Sequence, residues 1–165
     1  MFTSTAEVPP QQRHMRTRRL VLVDIENMIG GAVRDRESVV WAKQQFDCLV
    51  NLRPGDHVVV GTSHIGLLET GCNWPHARYV IGSGRDGADL ALLEVLEENV
   101  ATRYGEVVIV SGDGIFTQKV ADLASRGLRV TVIAHPGGLA ARLRLAAHHT
   151  TYLPHRHQPQ HGDAA

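Results

Sequence analysis

The sequence predicts an α/β protein with three layers, in which helices cover both faces of a mainly parallel sheet of five or six strands. Short apolar runs alternate along the chain with segments of helical periodicity. The apolar runs are continuous, which is typical of strands that are buried on both faces. The chain has 165 residues, of which 43% are hydrophobic, enough to fill the core of one domain.

Five segments are predicted strands because they are short and rich in valine and isoleucine, and because turn residues bound them. They are residues 20–23, 57–61, 78–81, 107–110 and 129–134. Each is followed by a segment long enough for a helix. A parallel pair joined by a helix crosses over with right-handed geometry, so successive helices cover the sheet.

Four helices are predicted where apolar residues recur at helical spacing. The first begins after an N-cap at Ser38, and Gly127 ends the third. Their apolar faces are Val39, Ala42, Phe46, Leu49 and Val50; then Leu92, Leu93, Leu96 and Val100; then Phe116, Val120, Leu123 and Ala124; and finally Leu139, Leu143 and Ala146.

Composition divides the chain into a disordered basic arm at residues 1–17, a domain at residues 18–154 and a disordered histidine-rich tail at residues 155–165. Seventeen basic and seventeen acidic side chains cancel, so no overall charge favours nucleic acid or an acidic membrane. We expect a cytoplasmic protein without membrane association, since neither a spanning run nor a secretory h-region is present. Cys48 and Cys72 have no metal-ligand spacing and are predicted to be buried thiols.

Two carboxylates follow predicted strands directly. Asp24 follows the first strand and Asp113 the fourth, and these strands are neighbours in the common doubly wound order. Ionised carboxylates on adjacent strands would repel by roughly 3 to 4 kcal/mol at an effective dielectric constant near 20. A shared proton or an arginine could offset this repulsion, but a hard divalent cation is the usual partner of clustered oxygen ligands.

Two further acids begin the helix after the third strand. Asp86 and Asp89 are spaced like a capping box, with Asp86 as the N-cap, and acids in a first helical turn are favoured by the helix dipole. We expect Asp86 to act mainly as a cap. Asp89 is the stronger candidate for a functional role because it also faces the carboxyl edge of the sheet, where the strands end.

Three short motifs together resemble the NYN domain, a branch of the PIN-like metal-dependent ribonucleases with a Rossmann-like sheet. They are Asp24-Ile-Glu-Asn27 after the first strand, Gly87-Ala-Asp89 at a helix start, and Ser111-Gly-Asp113-Gly-Ile-Phe116 after the fourth strand. The similarity extends over most of the core, roughly residues 19–153.

The resemblance implies an endoribonuclease-like hydrolase that cleaves phosphodiester bonds of single-stranded RNA with Mg²⁺ or Mn²⁺. Its metal-binding and catalytic carboxylates would be Asp24, Asp89 and Asp113, with Asp86 as a further candidate ligand. Asn27 would order the first loop or touch substrate, and Ser111 would support Asp113. The partner is RNA, and a second copy of the chain or another protein stays open as a further partner.

One position departs from the family pattern. The third motif commonly has a second acid two residues after the first, and this chain has Ile115 there. The departure removes an expected ligand, so a site with one tight metal is favoured over a site with two. Glu26 or Asp86 would be the acids to compensate.

Basic and aromatic residues near the predicted edge are candidates for substrate contact. Arg85, Lys119 and His64 are predicted to bind substrate, and Arg13, Arg16, Arg18 and Arg19 form a small basic cluster. Each could equally be an ordinary surface residue. Trp74 could stack on a base, but a loop tryptophan more commonly covers a core.

Three other interpretations of the sequence compete with the nuclease. Residues 82–87 match G-x-G-x-x-G, the dinucleotide-binding signature, but Asp86 would oppose a pyrophosphate, and we interpret the glycines as a flexible turn near substrate. A binding module for RNA or protein that kept the fold and lost its metal is a second alternative. The third concerns His148, His149, His155, His157 and His161, which could hold Zn²⁺ or Ni²⁺ adventitiously.

Overall fold

The computed structural model describes residues 18–154, so the predicted basic arm and histidine-rich tail lie outside the described residues. Within this range six strands form one parallel sheet in the order β3-β2-β1-β4-β5-β6. The strands are β1 (Arg19–Asp24), β2 (His57–Ser63), β3 (Arg78–Gly82), β4 (Glu106–Val110), β5 (Arg129–Ala134) and β6 (His149–Tyr152). The predicted α/β architecture is confirmed.

Helices follow the strands on both faces of the sheet. They are α1 (Ile25–Ile29), α2 (Arg36–Val50), α3 (Leu67–Asn73), α4 (Gly87–Glu97), α5 (Val100–Arg103), α6 (Thr117–Ser125) and α7 (Ala141–Ala146), with 3-10 turns at Gly114–Phe116 and Pro136–Gly138. No helix in the described part of the chain is long and apolar enough to cross a bilayer.

The centre of the sheet explains the continuous apolar runs. All six residues of β1 are buried, because β2 and β4 flank this strand and helices cover both of its faces. Leu20 and Leu22 pack into one hydrophobic cluster with α4 and α6, and Val21 and Val23 pack into the other with α2. Alternate residues of a strand point to opposite faces, so one apolar run fills both layers.

Some elements differ from the sequence-based expectation. Strand β6 was not among the five predicted strands, and it is exposed at three of its four residues because it is an edge strand. Asp35, not Ser38, is the N-cap of α2, since its Oδ1 accepts hydrogen bonds from Ser38 N and Ser38 Oγ at 2.7 and 2.8 Å. The helix expected to include Val100 breaks at Asn99, whose φ is 56°, and α5 begins there.

The two thiols were predicted wrongly. Cys48 and Cys72 are free and exposed, because they lie on the outward faces of α2 and α3. Trp74, by contrast, is part of the core: it is 1% exposed and packs against Phe46 with ring centroids 5.0 Å apart. It therefore covers the layer beneath α2 and is not available to stack on a base.

Candidate active site

Asp24 lies at the carboxyl edge of the sheet, where hydrogen bonds hold its side chain in place. It is the last residue of β1 and the N-cap of α1, and it is only 4% exposed. Its Oδ1 accepts a hydrogen bond from Asn27 N at 3.0 Å, and its Oδ2 accepts one from Ser111 Oγ at 2.9 Å. Burial raises the pKa of this carboxyl, and these hydrogen bonds work in the opposite direction.

Ser111 and Asn27 join the loop after β4 to the loop after β1. Ser111 Oγ accepts a hydrogen bond from Asp113 N at 3.2 Å while donating to Asp24, and Asn27 Oδ1 accepts one from Gly112 N at 3.0 Å. Gly112 is required here, because a Cβ on it would lie 2.2 Å from Gly138 O. The expected support of Asp113 by Ser111 is present, and Ser111 also supports Asp24.

The carboxyl of Asp89, in the first turn of α4, lies beside the carboxyl of Asp24. Burial first, and then the charge and closeness of the Asp24 carboxyl, raise the pKa of Asp89 to about 8. The raised pKa favours a proton on Asp89 near neutral pH. Asp89 Oδ1 is buried and has no hydrogen-bond partner among the described residues.

Close packing of two glycines places Asp89 at this edge. A Cβ on Gly82 would lie 1.8 Å from Gly87 O, so neither position tolerates a side chain. We expected these glycines to form a flexible turn near substrate, but they pack against each other. Asp86 does occupy the N-cap position of α4, yet with φ of 59° its side chain makes no capping hydrogen bond. The expected capping box is therefore not formed.

Asp113 lies near Asp89, and its own carboxylate accepts a hydrogen bond. Its Oδ1 accepts a hydrogen bond from Ile115 N at 2.8 Å, which caps the following 3-10 turn, and its charge contributes to the raised pKa of Asp89. No three His, Cys, Asp or Glu side chains between residues 18 and 154 are grouped closely enough to hold a metal ion. The structure thus brings Asp24 and Asp89 together, and Asp113 acts on Asp89 through its charge.

The donor atoms of this pair suit the predicted cation. Two carboxyls in contact supply the hard oxygen atoms that Mg²⁺ and Mn²⁺ prefer, and the unpartnered Oδ1 of Asp89 is a buried acceptor that lacks a positive partner. Asp86 is exposed, but its charge also raises the pKa of Asp89. The residues present fit a hard divalent cation held first by Asp24 and Asp89.

The predicted substrate-binding side chains separate into two groups. His64 and Arg85 lie at the carboxyl edge: His64 Nδ1 is 3.0 Å from Ser83 Oγ, and the Arg85 side chain is 96% exposed. His64 and Glu26 line a groove of about 560 Å³ between the ends of β2 and β3. Lys119 does not reach this groove, because its Nζ pairs with Glu97 Oε1 at 2.7 Å between α6 and α4.

Two arginines of the proposed basic cluster also lie elsewhere. Arg18 and Arg19 precede and begin β1, at the edge of the sheet opposite the carboxylates. Arg19 pairs with Asp56 and is 8% exposed, so it is a structural cation. Arg13 and Arg16 are outside the described residues.

Two contacts at the carboxyl edge were missed by sequence reasoning. Glu26 Oε1 accepts a hydrogen bond from Ser63 N at 3.2 Å, which links α1 to the end of β2. His135 Nε2 donates to Met28 O at 2.7 Å and its ring is stacked with that of Trp41. The sequence could have indicated that His135 lies at this edge, because His135 directly follows β5 and residues that follow parallel strands collect there.

The comparisons with known proteins agree with this architecture. No curated protein matches the chain. A solved structure of a protein of unknown function from Vibrio parahaemolyticus is 18% identical, with a TM-score of 0.56 over 85% of this chain and 94% of that chain. The YcaC gene product of Escherichia coli, titled an octameric hydrolase of unknown specificity, is 16% identical, with a TM-score of 0.45 over 83% of this chain and 76% of that chain.

At 18% identity the Vibrio structure shows a shared fold alone. The model of the NYN domain, however, matches residues 67–154, which is more than half of the chain and includes α4 with Asp89 and the loop that follows β4. The predicted family is therefore confirmed. This chain belongs to the NYN domain family.

Proposed function

We propose that this NYN domain is a cytoplasmic, metal-dependent ribonuclease that hydrolyses phosphodiester bonds of single-stranded RNA. The family supports a nuclease-like fold and a hydrolase. The observation that carries the proposal is the contact between Asp24 and Asp89, in which a buried oxygen of Asp89 has no partner among the described residues. A shared proton or a cation can stabilise such a pair, and the hard oxygen atoms of the two carboxyls support the cation.

Each residue of the site has a distinct part in this proposal. Asp24 and Asp89 would hold Mg²⁺ or Mn²⁺, and Asp113 would add negative charge beside them. The bound ion would supply Lewis-acid polarisation of a phosphate oxygen and lower the pKa of an attacking water. Ser111 and Asn27 fix the orientation of Asp24 through their hydrogen bonds, which keeps the carboxylate in place before substrate arrives.

Cleavage of a labelled single-stranded oligoribonucleotide tests the proposal. We expect cleavage in Mn²⁺ or Mg²⁺ and none in EDTA. Asp24→Asn and Asp89→Asn should each reduce the rate at least about 100-fold, a loss of roughly 3 kcal/mol of transition-state stabilisation. Circular dichroism melts would check that both variants fold.

Glu94→Gln is the matched control for this experiment. Glu94 is an exposed acid on α4, the same helix as Asp89, and its substitution should leave the rate unchanged. Cleavage that survives both Asp24→Asn and Asp89→Asn would contradict the proposal, because it would place the reaction at another site or in a contaminant.

A second candidate function is an RNA- or protein-binding module without catalysis. It is favoured by Ile115, which packs against the hydrophobic core where the family pattern commonly has an acid, and by the capping role of Asp113 Oδ1. If the missing carboxylate limits the site, Ile115→Asp should tighten Mn²⁺ binding measured by calorimetry by about tenfold.

RNA binding and RNA cleavage, measured beside the Mn²⁺ titration, distinguish the two candidates. Wild type that binds RNA but does not cut it with either ion, together with a gain of cleavage in Ile115→Asp, would establish the binding module. Unchanged Mn²⁺ affinity in Ile115→Asp would show that position 115 does not limit the site. Ile115→Asn is the control, since it adds a polar side chain of similar size without the charge.

A further inference from the structure

A second cavity lies at the opposite edge of the sheet from the carboxylates. Its volume is about 310 Å³, and its walls include Leu20 near the start of β1, His57 at the start of β2, and Tyr104, which precedes β4. Leu20 and Asp24 are four residues apart, which is about 13 Å along a strand. The cavity is therefore separate from the proposed metal site.

The hydrogen bonds in its wall fix the protonation of His57. Arg18 Nη2 lies 2.7 Å from His57 Nε2, and an arginine can only donate, so Nε2 accepts. In a neutral ring the hydrogen is then on Nδ1, which donates to Tyr104 Oη at 2.6 Å. Burial and the charges of Arg18 and Arg103 lower the pKa of His57, which agrees with a neutral ring. The hydroxyl proton of Tyr104 is not used in this contact.

Positive charge exceeds negative charge around the same tyrosine. The guanidinium carbons of Arg18 and Arg103 lie 5.9 and 5.4 Å from the centre of the Tyr104 ring. Arg78 Nη2 lies 2.6 Å from Glu98 Oε1, and Arg103 Nη1 lies 3.8 Å from Glu98 Oε2. The group around Tyr104 thus holds three guanidiniums and one carboxylate, an excess of two positive charges, and of the three guanidiniums those of Arg78 and Arg103 line the cavity.

The other acid of the wall does not reduce this excess. Asp56 is paired with Arg19 at 2.5 Å, so its charge is already balanced by an arginine outside the group around Tyr104. The cavity therefore offers guanidinium and hydroxyl donors to a ligand that accepts hydrogen bonds and carries negative charge.

We propose that this cavity binds a phosphate monoester. A dianion matches the excess charge, and guanidinium groups recognise phosphate oxygens through paired hydrogen bonds. The volume is at the lower end of small-molecule pockets, which suits a ligand the size of a mononucleotide. The proposal does not depend on the ribonuclease activity, because it uses none of the carboxylates at the other edge.

Calorimetric titration of the full-length chain with adenosine 5′-monophosphate tests this site. EDTA is included so that no metal at the carboxylates can hold the phosphate. We expect saturable binding of the monophosphate and at least tenfold weaker binding of adenosine, which lacks the charge. Equal binding of both compounds, or no binding of the monophosphate, would overturn the proposal.

Matched arginine variants assign the binding to the cavity. Arg103→Gln should weaken the binding of adenosine 5′-monophosphate at least tenfold. Arg78→Gln provides a second test if the first variant does not fold. Arg126→Gln is the control, because Arg126 at the end of α6 is exposed to a similar extent, 49% against 46% for Arg103. Unchanged affinity in both Arg103→Gln and Arg78→Gln would overturn the assignment.

The phosphate could belong to a free nucleotide or to the end of an RNA strand, and these share the chemistry proposed here. Oligoribonucleotides with a 5′-phosphate and with a 5′-hydroxyl separate them. Tighter binding of the phosphorylated strand, lost in Arg103→Gln, would support the site with an RNA end as its source. Equal binding of the two strands, with binding of the monophosphate retained, would support the site for a free monoester.

Discussion

At the scale of single residues, the surroundings of Asp89 strongly perturb its carboxyl group. Its pKa is raised from 3.8 to about 8, first by burial and then by the charge of Asp24. An unfolded chain would release this proton near pH 4, whereas the folded domain keeps it. Between these values the unfolded state binds fewer protons, so the free energy of unfolding falls as pH rises and levels off above about pH 8.

Asp89→Asn should remove this pH dependence. The asparagine has no proton to lose, and its amide can still donate a hydrogen bond to Asp24. In EDTA we expect the melting temperature of the variant to exceed that of wild type by about 3 to 6 °C at pH 8 and to match it near pH 4. Thermal melts at four or five pH values measure the difference.

Glu94→Gln again provides the control, since it removes an exposed acid from the same helix and should follow the wild-type curve. Parallel curves for wild type and Asp89→Asn from pH 4 to pH 8 would show that Asp89 ionises as freely in the folded chain as in the unfolded one. The inference of a proton shared with Asp24 would then be wrong.

The sequence predicts which residues lie at the carboxyl edge, but it does not predict contacts that depend on how separate elements pack. Asp24, Asp113 and Asp89 follow strands or begin a helix, so chain order alone brings them to one edge. The partner of Lys119 could not be predicted, because Glu97 comes from another helix and their pairing depends on how α4 and α6 pack. The dual role of Ser111 likewise depends on β1 and β4 being neighbours.

At the scale of elements, the connection between β3 and α4 determines where Asp89 lies. Gly82→Ala should destabilise the domain by about 2 to 3 kcal/mol, because the new Cβ would lie 1.8 Å from Gly87 O and backbone must move. The movement should also weaken Mn²⁺ binding. Urea unfolding and metal titration measure the two effects.

Gly71→Ala is the matched control in another connecting element. Gly71 is inside α3, and a Cβ added to it would meet no other atom within 4 Å, so alanine should stabilise the domain by up to about 1 kcal/mol through helix propensity. If Gly82→Ala were as stable as wild type, the close approach of Gly82 and Gly87 would not constrain this connection.

Strands and helices were predictable from the sequence where their burial produces a clear pattern of apolar residues. The central strands were found because their runs are continuously apolar. Strand β6, with the sequence His149-Thr-Thr-Tyr152, carries no such signal, since an edge strand can be held by backbone hydrogen bonds to one neighbour and remain exposed. The short helix α1 was also missed, because five residues contain too few turns to show a period.

At the scale of the whole molecule, the parallel sheet separates two chemically different edges. The strands end at a cluster of carboxylates and begin near a cluster of arginines, although the basic and acidic residues of the chain balance. Net charge alone therefore gave no indication of either site. The overall architecture was predictable because alternating strands and helices allow few arrangements, whereas the charge separation depends on which residues the strand order brings together.

The central position of β1 has a consequence for biosynthesis. Strand β1 needs neighbours on both sides, and Leu20 pairs with His57 on one side and with Val107 on the other. Strand β4 begins at Glu106, about 80 residues after β1 ends, so this much more of the chain must be made before the second neighbour exists. Until then a strand with four consecutive apolar residues, Leu20 to Val23, has an unpaired side in the nascent chain, so folding should be late, slow and dependent on protection from aggregation.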